Sequence, residues 1–237
     1  MRRVILLAIG LGWVLYSAAF AQVTISDSII HFEKGQKYQT LYVRNLSHYK
    51  TFTVNTVALE VISPGDPKTE LKPAGDLFAA PSRFIIQPRS EIPLKIFYNR
   101  EEALDSQKVY KLRFIPQMEA LKPEENSQLI TVITGVGALV FVEPDDKKPK
   151  ISWEREGNVI TLLNEGNVNV EVLRKDICHS KKTELCHFIS GKRLYENGSY
   201  QFILPEAFQS ENIDIDFMIN VNKQRVTVPV EAWGLDS

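Results

Sequence analysis

A chain of 237 residues with 44% hydrophobic and 24% charged residues can bury a sizeable core, as one large domain or two of about 100 residues each. Its 28 basic and 29 acidic residues leave a net charge of -1, which excludes a protein whose main task is gripping phosphate backbones. Two cysteines cannot frame a disulfide-rich mini-domain, and one apolar run at most approaches membrane-spanning length.

That run opens the chain. Arg2 and Arg3 precede an apolar stretch from Val4 to Tyr16, and Ala19-Phe20-Ala21 follows with small residues at the two positions a signal peptidase reads. The segment reads as a secretory signal cleaved after Ala21. The stretch is short for a membrane anchor. The mature protein is therefore expected in an oxidising compartment.

From Gln22 onward the apolar period is close to 2. Strands are expected at Ser28–Phe32, Gln39–Asn45, Thr51–Val61, Phe84–Gln87, Ile92–Tyr98, Val109–Ile115 and Leu129–Val142. Only Glu101–Lys108 and Met118–Glu125 look helical, and both are short. Glu143-Pro144-Asp145-Asp146-Lys147-Lys148-Pro149-Lys150 then interrupts the pattern with charges and two prolines. It reads as an interdomain linker, with the boundary at 144–150, or as a long surface turn.

Strands resume at Ile151–Trp153, Val159–Leu163, Val168–Ile177, Lys192–Tyr195, Tyr200–Leu204, Ile213–Val221 and Arg225–Val230. Asn197-Gly198 between two runs signals a hairpin. Short strands with turns at this spacing predict an all-β chain of two consecutive sandwiches, over 22–143 and 151–237.

Little in the sequence carries catalysis. There is no Gly-x-Ser-x-Gly elbow and no phosphate loop, and the acidic pairs Glu124-Glu125 and Asp145-Asp146 lie in charged loops. An enzyme is not expected, and no cofactor is implied. Cys178-His179 and Cys186-His187 offer four ligands for zinc, but neighbours in a strand point to opposite faces. In an oxidising compartment a Cys178–Cys186 disulfide is the simpler expectation.

Leu129–Val142 is long for a strand and apolar on both faces. A surface strand of a sandwich needs one apolar face. The second face is therefore expected to serve a partner, with Ile130, Val132, Thr134 and Val136 outward and Leu129, Ile133, Leu139 and Phe141 filling the protein's own core. A central or loop-covered strand is the alternative.

Several segments taken together resemble the PapD-like periplasmic pilus chaperones. They are Phe32-Glu33-Lys34-Gly35, Leu41-Tyr42-Val43-Arg44-Asn45, Ala80-Pro81-Ser82-Arg83 with Ile86-Gln87-Pro88, and Tyr110-Lys111-Leu112-Arg113-Phe114-Ile115-Pro116. The long strand ending at Pro144 and Asn164-Glu165-Gly166-Asn167-Val168 complete the set. The second-domain cysteine pair and Gly166-Asn167-Val168 resemble the alternative branch, which serves colonisation-factor and common-pilus fimbriae. The resemblance implies two immunoglobulin-like domains and donor-strand complementation of pilus subunits, which the Ile130–Val136 set would perform. It also implies delivery to an outer-membrane usher, a periplasmic location, and no nucleic acid or membrane insertion.

One departure stands out. The family's usual carboxylate anchor is an arginine on the first strand and a lysine near the end of the long strand. Those positions are Ile29 and Leu139 here. Arg83, Lys111 and Arg113 are the candidate replacements, and Lys111 and Arg113 share one strand face. A secreted binding or adhesive module, pilin-like or carbohydrate-binding, is the rival reading. Such a module would lack the free apolar face.

Overall fold

The computed structural model describes residues 22–99, 103–117, 133–178, 185–219 and 222–229. The signal segment and the expected helix at Met118–Glu125 lie outside these residues. So do Leu129, Ile130 and Val132 of the long strand.

Ten strands build the first sandwich. They are β1 (Val23–Ile25), β2 (Ile29–Phe32), β3 (Tyr38–Asn45), β4 (Phe52–Val61), β5 (Leu71–Pro73), β6 (Leu77–Ala80), β7 (Arg83–Ile86), β8 (Glu91–Tyr98), β9 (Lys108–Gln117) and β10 (Val136–Val142). One sheet runs β1-β3-β8-β6; the other runs β2-β10-β9-β4-β5, with β7 also paired to β4. Alternation sends Leu41 and Val43 of β3, Leu94 and Ile96 of β8, and Tyr110, Leu112 and Phe114 of β9 into the shared core. Phe32, Phe52 and Phe114 are almost fully buried, and each contributes roughly 1.5–3 kcal/mol by leaving water. Gly35 closes the turn from β2 to β3 at φ 80°, a backbone region that a Cβ disfavours.

The phase of β10 differs from the expectation. Ala138, Val140 and Val142 fill the first core. They stand opposite Leu112, Tyr110 and Lys108 of β9. Leu139 and Phe141 face the other way, and Ile133 is 38% exposed. Phe141 is nonetheless fully buried, because Val61 and Val109 of its own sandwich, with Tyr195 of the second, cover it. The strand is apolar on both faces because the first core packs on one and this smaller cluster on the other.

Nine strands and one short helical turn form the second sandwich. These are β11 (Ile151–Glu156), β12 (Val159–Asn164), β13 (Val170–Val172), β14 (Lys175–Cys178), β15 (Cys186–Ile189), β16 (Lys192–Leu194), β17 (Ser199–Ile203), β18 (Ile213–Ile219) and β19 (Asn222–Val228), with a 3-10 turn at Glu206–Phe208. The sheets are β11-β12-β17 and β16-β13-β18-β19, with β14-β15 as a separate ribbon. Ile160, Leu162, Phe202, Phe208, Ile213 and Ile215 fill the space between. The expected single strand Val168–Ile177 breaks at Leu173-Arg174, where the chain leaves one sheet to form the β14–β15 ribbon. Cys178 and Cys186 close that ribbon with a disulfide.

Asn197-Gly198 does form a turn, with Asn197 at φ 60°. It does not close a hairpin. β16 and β17 on its two sides belong to different sheets. The Asn197 amide donates to the Asn164 carbonyl at 2.8 Å and the Asn164 amide to the Gly198 carbonyl at 3.0 Å, so the turn is pinned to β12 and carries the chain across.

The charged run between the sandwiches is held in place. The Lys148 amide donates to Asn167 Oδ1 at 2.7 Å. Asn167 Nδ2 donates to the Asp105 and Asp146 carbonyls at 2.7 and 2.8 Å. Gly166 lies so close to the run that a Cβ there would stand 2.4 Å from the Lys148 carbonyl oxygen.

Candidate functional site: an open strand edge beside a cationic cavity

The chain crosses between sheets at its start. β1 pairs with β3 in one sheet and β2 pairs with β10 in the other. The parallel β2–β10 ladder begins at Ile29↔Leu139, and the Leu139 amide donates to the Ser28 carbonyl at 2.9 Å. Before Ser28 the chain has turned away. Among the described residues, Val136, Gly137 and Ala138 therefore pair with β9 alone. Among these residues no strand covers their other edge, which is of the kind that templates another strand.

The side chains along this edge continue the core phase outward. Ala138 is buried, Val136 is half-buried against the first core, and Thr134 is exposed. These two members of the expected subunit-binding set therefore stand on the same phase as the protein's own core.

A cavity of about 620 Å³ adjoins the edge, lined by Ser28, Ile29, Lys111, Arg113, Ile115, Gly135, Val136, Gly137 and Leu139 among others. The register explains its make-up. Leu139 stands between Ile29 on β2 and Lys111 on β9, and Gly137 stands beside Arg113. Ile29 and Leu139, where the resemblance leads one to expect a basic pair, are thus direct neighbours, and Lys111 is the next residue in the same row. Tyr110, Leu112 and Phe114 point into the core, so Lys111, Arg113 and Ile115 take the outer face.

Among the described residues no acidic side chain lines the cavity. Neither Lys111 nor Arg113 makes a side-chain hydrogen bond or ion pair among the described residues. Their charge is available to an anion. Arg83 stands apart. It pairs with Asn55 on β4, which faces Ile115 of β9, so Arg83 shares the outer face but does not line the cavity.

Beyond Leu139 the cleft meets the second sandwich, through residues that, Phe141 apart, sequence reasoning did not single out. The Phe141 ring stacks on His31 at 5.1 Å and lies beneath the Arg193 guanidinium at 4.9 Å. Tyr195 packs beside it at 6.5 Å. Burial pushes the Tyr195 hydroxyl pKa up, partly offset by the Arg193 charge. Glu143, fully buried, accepts from Gln107 Nε2 at 3.1 Å and lies 2.8 Å from His31 Nδ1. Gln107 Oε1 in turn accepts from Asn169 Nδ2 at 2.7 Å and its amide at 3.1 Å. This chain of polar contacts crosses from one sandwich to the other. The buried end of a charged run, Glu143, was its one legible member.

No protein-family model matches the sequence, and no curated protein matches it. Solved structures do. The class 5 fimbriae chaperone CfaA matches with a TM-score of 0.61 at 16% identity, over 87% of this chain and 98% of that one. The E. coli chaperone DraB gives 0.61 at 15% identity, over 88% and 96%. A structure of the Salmonella enterica SafA pilin with the SafB chaperone gives 0.58 at 13% identity, over 88% and 97%. At these identities the likeness speaks of architecture, and it spans both sandwiches: the chain has the two-domain immunoglobulin-like fold of the fimbrial chaperones.

Proposed function

We propose that this protein is a periplasmic, non-enzymatic chaperone that captures pilus subunits by strand donation and passes them to an outer-membrane usher. The signal segment, cleaved after Ala21, would take it across the inner membrane. The observation that carries this reading is that, among the described residues, the edge of β10 is open beside a cavity lined by two cations and no acid. SafB, which shares the fold, is a chaperone solved with a pilin. Strand donation uses main-chain bonds for affinity and alternate side chains for specificity. Val136 and Thr134, preceded by Val132 and Ile130, would enter the subunit's incomplete core.

Geometry suggests how the guest lies. A strand filling the open edge is coaxial with β2 and runs into Ser28 and Ile29. It must end there or turn away. The charge at that end suits a C-terminal carboxylate, held by Lys111 and Arg113 in place of the missing pair. Arg113 can offer it two parallel N–H donors. No nucleotide or cofactor takes part. The test is co-expression with a fimbrial subunit that lacks its own final strand. A soluble equimolar complex that Val136→Asp abolishes is expected; a subunit that is equally soluble without this protein overturns the reading.

A further inference from the structure

The cavity straddles β10. Ser28 and Ile29 line it on one side of that strand, and Lys111, Arg113 and Ile115 line it on the other. Between them β10 presents Gly135 and Gly137, with no side chain on this face. A Cβ on Gly135 would meet only the Phe114 carbonyl oxygen, at 3.1 Å, within 4 Å. At Gly137 the Leu112 carbonyl oxygen would lie at 2.9 Å. The two glycines thus leave a lane across the strand, from the end of the open edge to the cations. Any other residue would wall it off.

Apart from those cations and Ser28 the side chains of the lane are apolar. Ile29, Leu139 and Ile115 form its walls, with Ile29 40% and Ile115 41% exposed. Its volume lies in the range of about 300–1,000 Å³ typical of pockets that hold small molecules. A lone carboxylate would leave most of it filled with water against aliphatic surface.

We infer that the guest strand ends in a large apolar residue, whose side chain occupies this glycine-floored lane while its carboxylate meets Lys111 and Arg113. Gly135, Ile29 and Leu139 then select which C-termini are captured. This rests on the strand-capture reading and adds the chemistry of the guest's last residue. A small or acidic terminal residue leaves the lane empty or places a second negative charge against its aliphatic walls.

The experiment uses the mature protein and short fluorescent peptides of alternating threonine and valine, ending in phenylalanine, in glycine, or in phenylalanine carboxamide. The phenylalanine acid is expected to bind at least about tenfold more tightly than the glycine acid. Gly135→Val should cut that preference to less than about threefold. Leu139→Ser, which does not add bulk to the ladder, should cut it as well and guards against misfolding of the first variant. Equal binding of the phenylalanine and glycine acids overturns this inference and leaves the carboxylate anchor standing. Equal binding of the phenylalanine acid and its carboxamide overturns the anchor instead. Failure of every peptide to bind overturns both.

Discussion

Asn45 and Asn164 do the same work at the same corner of the two sandwiches. Each ends a core strand and is buried. Each Nδ2 donates to two main-chain carbonyls, Lys50 and Ile86 for Asn45, Val168 and Leu194 for Asn164. Each Oδ1 accepts the amide two residues on, from Ser47 and from Gly166. Asn45-Leu46-Ser47 has the form of a glycosylation acceptor, but in the fold its amide is fully committed.

Replacing either asparagine by alanine leaves buried carbonyls without donors, at a cost of about 1–3 kcal/mol each. Two separately tracked unfolding transitions should show it. Asn45→Ala is expected to lower the midpoint of the first sandwich and Asn164→Ala that of the second. A loss under about 0.5 kcal/mol in both would refute the corner as a stability element.

The three basic candidates should separate. Lys111→Ala and Arg113→Ala are expected to weaken subunit capture several-fold each, with the effect shrinking in high salt. Arg83→Ala, outside the cavity, should change capture by less than about twofold. Titration of a purified subunit against each variant, beside thermal melting, decides this. A dominant effect of Arg83 would move the anchor to the far side of the sheet.

The phase of β10 predicts a graded response to charge. Val140→Asp puts a carboxylate into the first core, where desolvation costs several kcal/mol, and should unfold that sandwich. Ile133→Asp should leave the free protein folded, since Ile133 is partly exposed. Val136→Asp should cost capture far more than stability. Circular dichroism melts beside capture assays distinguish the three; an Ile133→Asp protein that is unfolded would mean that the odd phase feeds the core after all.

Asp216 makes the stability of the second sandwich depend on acid. The Arg225 guanidinium holds its carboxyl pKa well below the usual range, against the opposing effect of burial, with Lys223 and Lys175 adding to the pull. A depressed folded pKa contributes stability above the unfolded value, near 3.9, and the contribution fades as pH falls through that region. Asp216→Asn should therefore destabilise the protein at pH 7, and the gap to wild type should narrow between about pH 5 and pH 2. Urea unfolding at both ends of this window tests the sign. A gap that widens in acid would contradict it.

Much of this architecture can be read from period and punctuation. Leu41-Tyr42-Val43 and Lys111-Leu112-Arg113 alternate cleanly because one face meets a core and the other does not, and Lys111 with Arg113 could be placed on one face for the same reason. The β10 phase was illegible because Phe141 is buried in a second, smaller cluster with Val61, Val109 and Tyr195, outside the main core, which no local period reports. Asn197-Gly198 misled in the same way: its turn geometry is local, but the pairing of its flanking strands depends on Asn164, over thirty residues earlier. Of the His31–Glu143–Gln107–Asn169 contacts only Glu143, at the start of a charged run, leaves any mark in the sequence, since the other residues are ordinary where they stand. Lys111 became an anchor candidate through the absence of charge at Ile29 and Leu139, and the ladder then put all three in one row.

Gly166 gives the molecule something like the fixed jaw of a calliper. The charged run beside it has the composition of a slack tether, yet its backbone is pressed against a residue that can carry no side chain. Gly166→Ala would act as a shim: the added methyl must displace the backbone of Lys148, Pro149 and Lys150. The spacing between the sandwiches thus depends in part on a residue nearly thirty positions from both Leu139 and Arg193. A lineage could retune which guests fit by altering that one spacer, leaving every contact surface unchanged.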